Sequence, residues 1–411
     1  MIRFKTLQRY KDFLKITSQD DVFLIFFCTF AAATIISYRY DNPRRKVKLH
    51  IFNPEHDIAL AVNVPRFTAP HAARQLRSDV GFLPALWADD GDVVLVDDVE
   101  AAVRRSRLYR QYTADVLYIS PDDLVRLGGD IRDMEVQPWG WDQAIAELLH
   151  KAGMSRSCLS DEQLLDIRRL SSRKWAARQL LPPLRQKMTF PTVGGARYIT
   201  RKDELTSFFG IGQPLVLKSP WSSSGRGIRY ILDETHWERN LAWATRVIRQ
   251  QGGIIAEPYY DKIRDFGMEF EALPDGTVVF RGLSLFMTKN GAYIGNIIAT
   301  ERAKREILSK FIPEEVLDKL AKTITSLTRK AFRNRYTGPF GIDMMIVREE
   351  DAGIAVHPCV ELNLRRTMGH VALSLPCDET TPQRVMRLAY TDRYRLQITD
   401  TNENVINNGL A

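Results

Sequence analysis

Two runs near the C-terminal end constrain this chain more than any others: Gly338-Pro-Phe-Gly-Ile-Asp343, and then Val360-Glu361-Leu-Asn363-Leu-Arg365-Arg366-Thr-Met-Gly369. Residues 344–347 read as one strand and 354–360 as its antiparallel return, with Arg348-Glu-Glu-Asp-Ala-Gly353 as the turn. Glu361 and Asn363 are two apart, so on a strand both side chains leave the same face. Asp343 on the neighbouring strand completes a set of hard oxygen donors, and Arg365 follows two residues on. That combination suits a divalent cation such as Mg²⁺ (or Mn²⁺) beside a transferring phosphate. Taken alone, the same pattern also describes a solvated hairpin end.

At 411 residues the chain exceeds what one core organises, so several domains are expected. The four cysteines (Cys28, Cys158, Cys359, Cys377) are scattered and form no C-x-x-C, so neither a disulfide framework nor a zinc site is indicated and a reducing, cytoplasmic setting fits best. The net charge of +8 is concentrated in one place. Residues 1–48 carry Arg3, Lys5, Arg9, Lys11, Lys15, Arg39, Arg44, Arg45, Lys46 and Lys48 against Asp12, Asp20, Asp21 and Asp41. The remainder is close to neutral, so no nucleic-acid partner is expected. The same leader contains an uncharged run, residues 22–38, at the short limit for a membrane span and flanked by Lys/Arg on both sides. Three readings follow for 1–46: a dispensable extension from a misplaced start, a membrane anchor, or an export signal. Membrane association is expected only through this leader.

The pattern after the leader is α/β. Residues 47–155 form an N-terminal α/β domain with short strands at 49–52, 92–97, 117–119 and around Val136, and a helix at 143–150. A long helix pair over 161–181 is expected to stop at Pro182-Pro183. Further strands fall at 215–218, 228–232 and 253–257, helices at 237–251 and 312–333, and a hairpin at 266–285 around Pro274-Asp-Gly276. Residues 156–395 make up this second module, and 396–411 read as a disordered tail.

Two further segments carry chemistry. Lys218-Ser-Pro-Trp-Ser222-Ser223-Ser224-Gly225-Arg-Gly227 is a strand lysine followed by a loop of small residues, whose backbone N–H groups can converge on phosphate oxygens. The chain contains no G-x-x-x-x-G-K-[ST] and no G-x-G-x-x-G, so it is not a P-loop protein. Glu257-Pro-Tyr259-Tyr260 follows a buried strand and offers a carboxylate and aromatics to a heterocycle. In chain order, a basic helix end (Arg173, Lys174), Lys218, the Ser/Gly loop, Glu257, a hairpin, and Asp343/Glu361/Asn363/Arg365 together resemble an ATP-grasp enzyme of the carboxylate–amine ligase kind, over roughly residues 160–375.

The resemblance implies a pre-ATP-grasp-like N-terminal domain and an ATP-grasp module of two α+β subdomains. It implies that Lys218 contacts adenine and the α-phosphate, that Ser222, Ser223, Ser224, Gly225 and Gly227 close over the β/γ-phosphates, and that Glu257, Tyr259 and Tyr260 grip adenine. Glu269 or Asp265 would contact ribose, Arg173 or Lys174 would stand for a helix lysine, and Asp343, Glu361 and Asn363 would bind Mg²⁺. Arg365 would stabilise the transferred phosphoryl group. Many relatives place an arginine two residues before the metal aspartate. Here that residue is Gly341, so Arg302, Arg365 or Arg366 must replace it.

The implied reaction joins a small-molecule or peptide carboxylate to an amine through an acyl phosphate, releasing ADP and Pi. It needs positioning and charge neutralisation rather than a covalent enzyme nucleophile. Phosphorylation of a small molecule on the same fold, or a non-catalytic ATP-binding regulator, are the alternatives. On the acceptor side, Asn53-Pro-Glu55-His56-Asp57 follows the first strand at the edge where open α/β sheets bind ligands, and it also reads as an Asn-capped helix start. Glu55, His56, Asp57 and Lys289 are the candidate substrate contacts. Pro138-Trp-Gly-Trp-Asp142 reads as packing. An opening F-N-P-E-H-D segment also resembles some ATP-grasp proteins and identifies no substrate.

Overall fold

The protein, as a computed structural model, is described over residues 45–131, 134–209, 213–222, 225–289, 292–351 and 353–401. The leader to residue 44, with its apolar run, lies outside the described residues, as do Ser223, Ser224 and 402–411. No helix of the described residues is long and apolar enough to cross a membrane.

The N-terminal sheet is wholly parallel: β1 (Lys48–Ile51), β2 (Val93–Leu95), β3 (Leu117–Ile119) and β4 (Glu135–Pro138), in the order β3-β2-β1-β4. All three residues of β2 are buried, as an uninterrupted apolar run in a covered parallel sheet should be. The chain winds outward from β1 to β3, then returns to lay β4 on the other side of β1. Strand order therefore reverses between β1 and β4, and an open sheet leaves a ligand crevice at the carboxyl ends of such a pair.

Three antiparallel sheets follow. β5 (Arg197–Ile199), β6 (Leu215–Lys218), β7 (Ile228–Ile231) and β8 (Ile254–Pro258) pair in the order β5-β8-β6-β7 against the helix Glu234–Gln251. β9 (Asp261–Ala272), β10 (Val278–Ser284), β13 (Gly338–Glu349) and β14 (Gly353–Asn363) pair as β10-β9-β13-β14. Phe266, Phe270, Phe340 and Ile342 of this sheet are sealed in a core with Leu317, Leu320 and Ile324 of the helix Glu314–Phe332. β11 (Phe286–Lys289), β12 (Ala292–Ile298), β15 (Arg384–Tyr390) and β16 (Tyr394–Asp400) form the last sheet, β11-β12-β15-β16.

The structure corrects the sequence reading in four places. Pro182-Pro183 does not end a helix; the two prolines open the helix Leu181–Lys187, where a missing N–H costs nothing because first-turn amides have no intrahelical acceptor. β13 begins at Gly338 and β14 ends at Asn363, so the whole Gly338–Asp343 run is strand rather than lead-in. Residues 396–400, read as part of a disordered tail, are strand: β16 runs to Asp400, paired along its length with β15, with Leu396 buried. Leu396 belongs to a core that also contains Phe52, Val80 and Phe82, together with Ile298, Val371 and Met386. A boundary at 155 therefore divides the chain but not its packing, because the last sheet shares its core with the N-terminal domain.

Candidate active site

Register places the oxygen donors. Asp343 lies opposite Glu361 and Gly341 opposite Asn363 across β13–β14, while Gly341 also faces Glu269 and Asp343 faces Gly267 across β9–β13. Directly paired residues share a face, so Glu269, Asp343, Glu361 and Asn363 project together over three strands. Asn363 Nδ2 donates to Asp343 Oδ2 at 3.0 Å. Gly341 leaves the space that Glu269 fills: a Cβ there would stand 2.5 Å from Glu269 Oε2 and 2.9 Å from Thr367 Cγ2. No arginine fits at 341 while Glu269 occupies that room.

The cluster is rich in negative charge. Burial, then the Glu361 and Glu269 carboxylates, push Asp343 up to about 8. Glu269 Oε2 lies 3.0 Å from His370 Nδ1, yet that nitrogen already accepts the Thr367 N–H at 3.2 Å and His370 Nε2 faces the Phe270 carbonyl at 3.1 Å. With Nδ1 accepting from Thr367 and Nε2 directed at the Phe270 carbonyl, Glu269 Oε2 is buried without a hydrogen-bond partner. Crowded carboxylates and an orphaned oxygen fit a bound cation. No group of three or more His, Cys, Asp or Glu among the described residues makes a metal cage by itself. The set instead fits Mg²⁺, which binds through one or two carboxylates and completes its shell with phosphate and water.

Arg173 and Lys174 take different positions. Arg173 is buried, donating from Nη2 to Glu361 Oε1 at 2.7 Å and from Nη1 to Ser222 Oγ at 2.6 Å and the Ser219 carbonyl at 2.8 Å. It ties the loop after β6 to the carboxylate cluster. Lys174 instead sits over the Tyr198 ring, 4.2 Å from its centroid. The loop is the β6–β7 hairpin connection, closed by Ser219 N–H to the Gly227 carbonyl at 2.9 Å. Gly225 has φ of 72°, and a Cβ on Gly227 would lie 2.1 Å from both Ser219 Oγ and Ser222 Oγ.

Lys218 Nζ meets Glu257 Oε2 at 2.5 Å, and both side chains are buried. Beside them His357 packs edge-on to Tyr260, 5.7 Å between ring centroids, with both ring nitrogens unpartnered. Burial, then Lys218 and Arg185, hold His357 down at about 3, so it is neutral. The Tyr260 hydroxyl accepts the Gly194 N–H at 3.1 Å. Tyr259 is half exposed and meets Tyr230 edge-on.

At the opposite end the N-terminal domain enters the site. Arg365 donates to Asp57 Oδ2 from Nε at 2.9 Å and lies 2.8 Å from it through Nη2, which also reaches Asn363 Oδ1 at 3.0 Å. Burial opposes the charge of each partner but their mutual attraction outweighs it, holding Asp57 below and Arg365 above their ordinary values. Glu55 pairs with Arg77, and His56 Nδ1 lies 3.0 Å from Asp142 Oδ2. Asn53 does not cap the following helix; its side chain donates to the Gly140 carbonyl at 2.8 Å and to Asp142 at 3.1 Å. Arg366 lies 4.7 Å from the Trp87 ring centroid, and burial lowers it to about 10.

Other candidates lie elsewhere. Arg302 is exposed and pairs with Glu379 at 3.0 Å, apart from the carboxylate cluster. Asp265 bonds Lys262 Nζ at 2.6 Å and Thr288 Oγ1 at 2.5 Å, and Lys289 ends β11. The sequence reading passed over His357, took Asn53 as a helix cap, and left Asp142 within a packing cluster. Asp142 also stands before a helical run, and its Oδ1 does accept Ile145 N–H at 3.0 Å.

No family model matches the chain, and no curated protein matches it in sequence. Among solved structures it is similar to N5-carboxyaminoimidazole synthetase from Staphylococcus aureus complexed with ADP, at 14% identity over 84% of this chain and 82% of that one, TM-score 0.45. It is similar also to the biotin carboxylase domain of Hydrogenobacter thermophilus 2-oxoglutarate carboxylase, at 16% identity over 84% and 75%, TM-score 0.49. A third is biotin carboxylase from Campylobacter jejuni, at 15% identity over 84% and 76%, TM-score 0.46. At these scores the likeness assigns neither activity nor substrate.

Proposed function

We propose that this chain is an ATP-grasp ligase that joins a carboxylate to an amine through an acyl phosphate, releasing ADP and Pi. The observation that carries the reading is the row of Asp343, Glu361 and Asn363 between two cationic arms. Arg173 reaches it from the helical turn Arg173–Trp175 while holding the glycine-containing loop, and Arg365 from just past the end of β14. Lys218 and Glu257 lie on β6 and β8 of the same cleft and are the adenine and α-phosphate contacts; nucleotide entry must exchange their mutual ion pair for bonds to the ligand.

Asp343, Glu361 and Asn363 would hold Mg²⁺, with the Glu269 carboxylate beside them. Bound there, the cation supplies charge neutralisation for the nucleotide phosphates. Arg173 and the loop fix the terminal phosphate, and Arg365 steadies the phosphoryl group as it moves to a substrate carboxylate oxygen. The amine then adds to the acyl carbon and phosphate leaves. ATP dependence and the free thiols Cys158, Cys359 and Cys377 accord with a cytoplasmic site of action.

The test is a screen of carboxylate and amine pools for ADP and Pi release, with mass spectrometry of the product. An amide supports the ligase. A phosphorylated product with no amide would make the protein a kinase, and nucleotide binding without turnover would make it a regulator.

A further inference from the structure

We propose that His56 is the general base of the acceptor step, removing a proton from the ammonium group of the amine substrate, with Asp142 as its positioning residue. This rests on the ligase reading and deepens it.

His56 follows β1 and Asp142 follows β4, so the pair stands at the carboxyl edge where the order of the parallel sheet reverses. Asp142 is a fixed acceptor: Oδ2 receives Asn53 Nδ2 at 3.1 Å and faces His56 Nδ1 at 3.0 Å, while Oδ1 receives Ile145 N–H at 3.0 Å. A carboxylate with this environment requires the proton on Nδ1, which leaves a bare lone pair on Nε2. Nε2 is buried and has no protein partner among the described residues, although the ring is only 1% exposed. Buried polar atoms are satisfied as a rule, and an exception calls for a ligand or a function. Gly140 packs on the imidazole so closely that a Cβ would stand 2.5 Å from His56 Cγ, which fixes the ring plane.

The location ties this lone pair to the reaction. The next residue, Asp57, grips Arg365, and Arg365 reaches Asn363 of the cation cluster. An alkyl amine is an ammonium ion near neutral pH and has no lone pair until it loses a proton. Nε2 takes that proton and becomes imidazolium. The free amine forms the C–N bond at the acyl carbon, the C–O bond to phosphate breaks, and the second amine proton leaves with the phosphate as hydrogen phosphate. Imidazolium then returns its proton to water. The charged groups around the ring are Asp142, Asp57 and Glu55, backed by Arg365 and Arg77.

The experiment uses the full chain, ATP, and the carboxylate and amine found by the ADP-release screen, with hydroxylamine as a second nucleophile. Hydroxylamine is neutral at pH 7 and needs no base. His56→Gln should lower amide formation near neutral pH by about 100-fold, at the low end of general-base contributions, and alkaline pH, which frees the amine without a base, should recover much of that loss. The same variant should form hydroxamate within about twofold of wild type, since general-base help is absent from that reaction. Asn53→Ala loosens the same loop contact without touching the imidazole and should keep the wild-type ratio of amide to hydroxamate. Equal loss of both products in His56→Gln, or an unchanged amide rate, overturns the base. Absence of hydroxamate from the wild-type protein overturns the ligase reading instead.

Discussion

Asp57 and Arg365 stand 308 positions apart and meet as a two-point ion pair, 2.9 Å from Nε and 2.8 Å from Nη2 to one carboxylate oxygen. The contact brings the edge of the parallel sheet to the arginine beside the cation cluster. Breaking a buried pair from one side leaves the other charge uncompensated.

Asp57→Asn should therefore destabilise the fold by up to about 3 kcal/mol at pH 7, measured by urea unfolding. Asp57 is held below its ordinary value in the folded state. Its contribution is present above the unfolded value of about 4 and is lost as pH falls through the lower folded value. The gap between wild type and variant should close in acid. A constant gap from pH 7 to pH 3 would remove the ion pair from the stability of the fold.

Asp343 has the opposite sign. Its folded value is raised to about 8, so its favourable contribution is present below the unfolded value and is lost as pH rises through about 8. In EDTA, the thermal midpoint of wild type should fall toward pH 9 more than that of Asp343→Asn. Added Mg²⁺ should raise the wild-type midpoint at pH 8 and leave the variant unmoved. A variant that responds to Mg²⁺ like wild type would place the cation elsewhere.

Glu361→Ala should abolish ATP turnover while the circular dichroism spectrum stays native, because it removes a proposed cation ligand and the anchor of Arg173 together. Turnover within tenfold of wild type would refute the assignment of this cluster.

Lys218 and Glu257 are both buried, so each single truncation leaves a lone charge in the core. Lys218→Met and Glu257→Leu should each cost about 3 kcal/mol or more, and the double variant less than their sum. Nucleotide binding, followed by calorimetry, should be lost in all three. Additive costs would show that the pair does not couple.

Gly341→Ala should destabilise by about 1–3 kcal/mol, as overpacking does. Its Cβ would stand 2.5 Å from Glu269 Oε2, and Glu269→Ala in the same chain should recover much of that loss. No recovery would mean that Thr367, also close to that Cβ, sets the limit.

The elements with strong local signals were legible. Lys218 ends a strand of four residues, 215–218, at the predicted bounds, and the hairpin carrying Asp343, Glu361 and Asn363 forms in the predicted sense. Where two local rules competed, position decided: Pro182-Pro183 breaks a helix interior but suits a first turn, and only the surrounding chain sets which applies. The Asn53 side chain had a plausible role as a cap, yet it bonds to Gly140 and Asp142, 87 and 89 residues away.

By itself, then, the sequence determined the α/β class, the antiparallel pair that carries Asp343, Glu361 and Asn363, and the strand lysine with its small-residue loop. Those properties live in residue type and in spacing of two or a few residues. The tertiary structure alone decided that Arg173 rather than Lys174 reaches Glu361, that Glu269 takes the space over Gly341, and that Asp57 holds Arg365 while Asp142 holds His56. These are contacts between elements distant along the chain, fixed by sheet order, register and packing, and no local periodicity encodes which elements will meet.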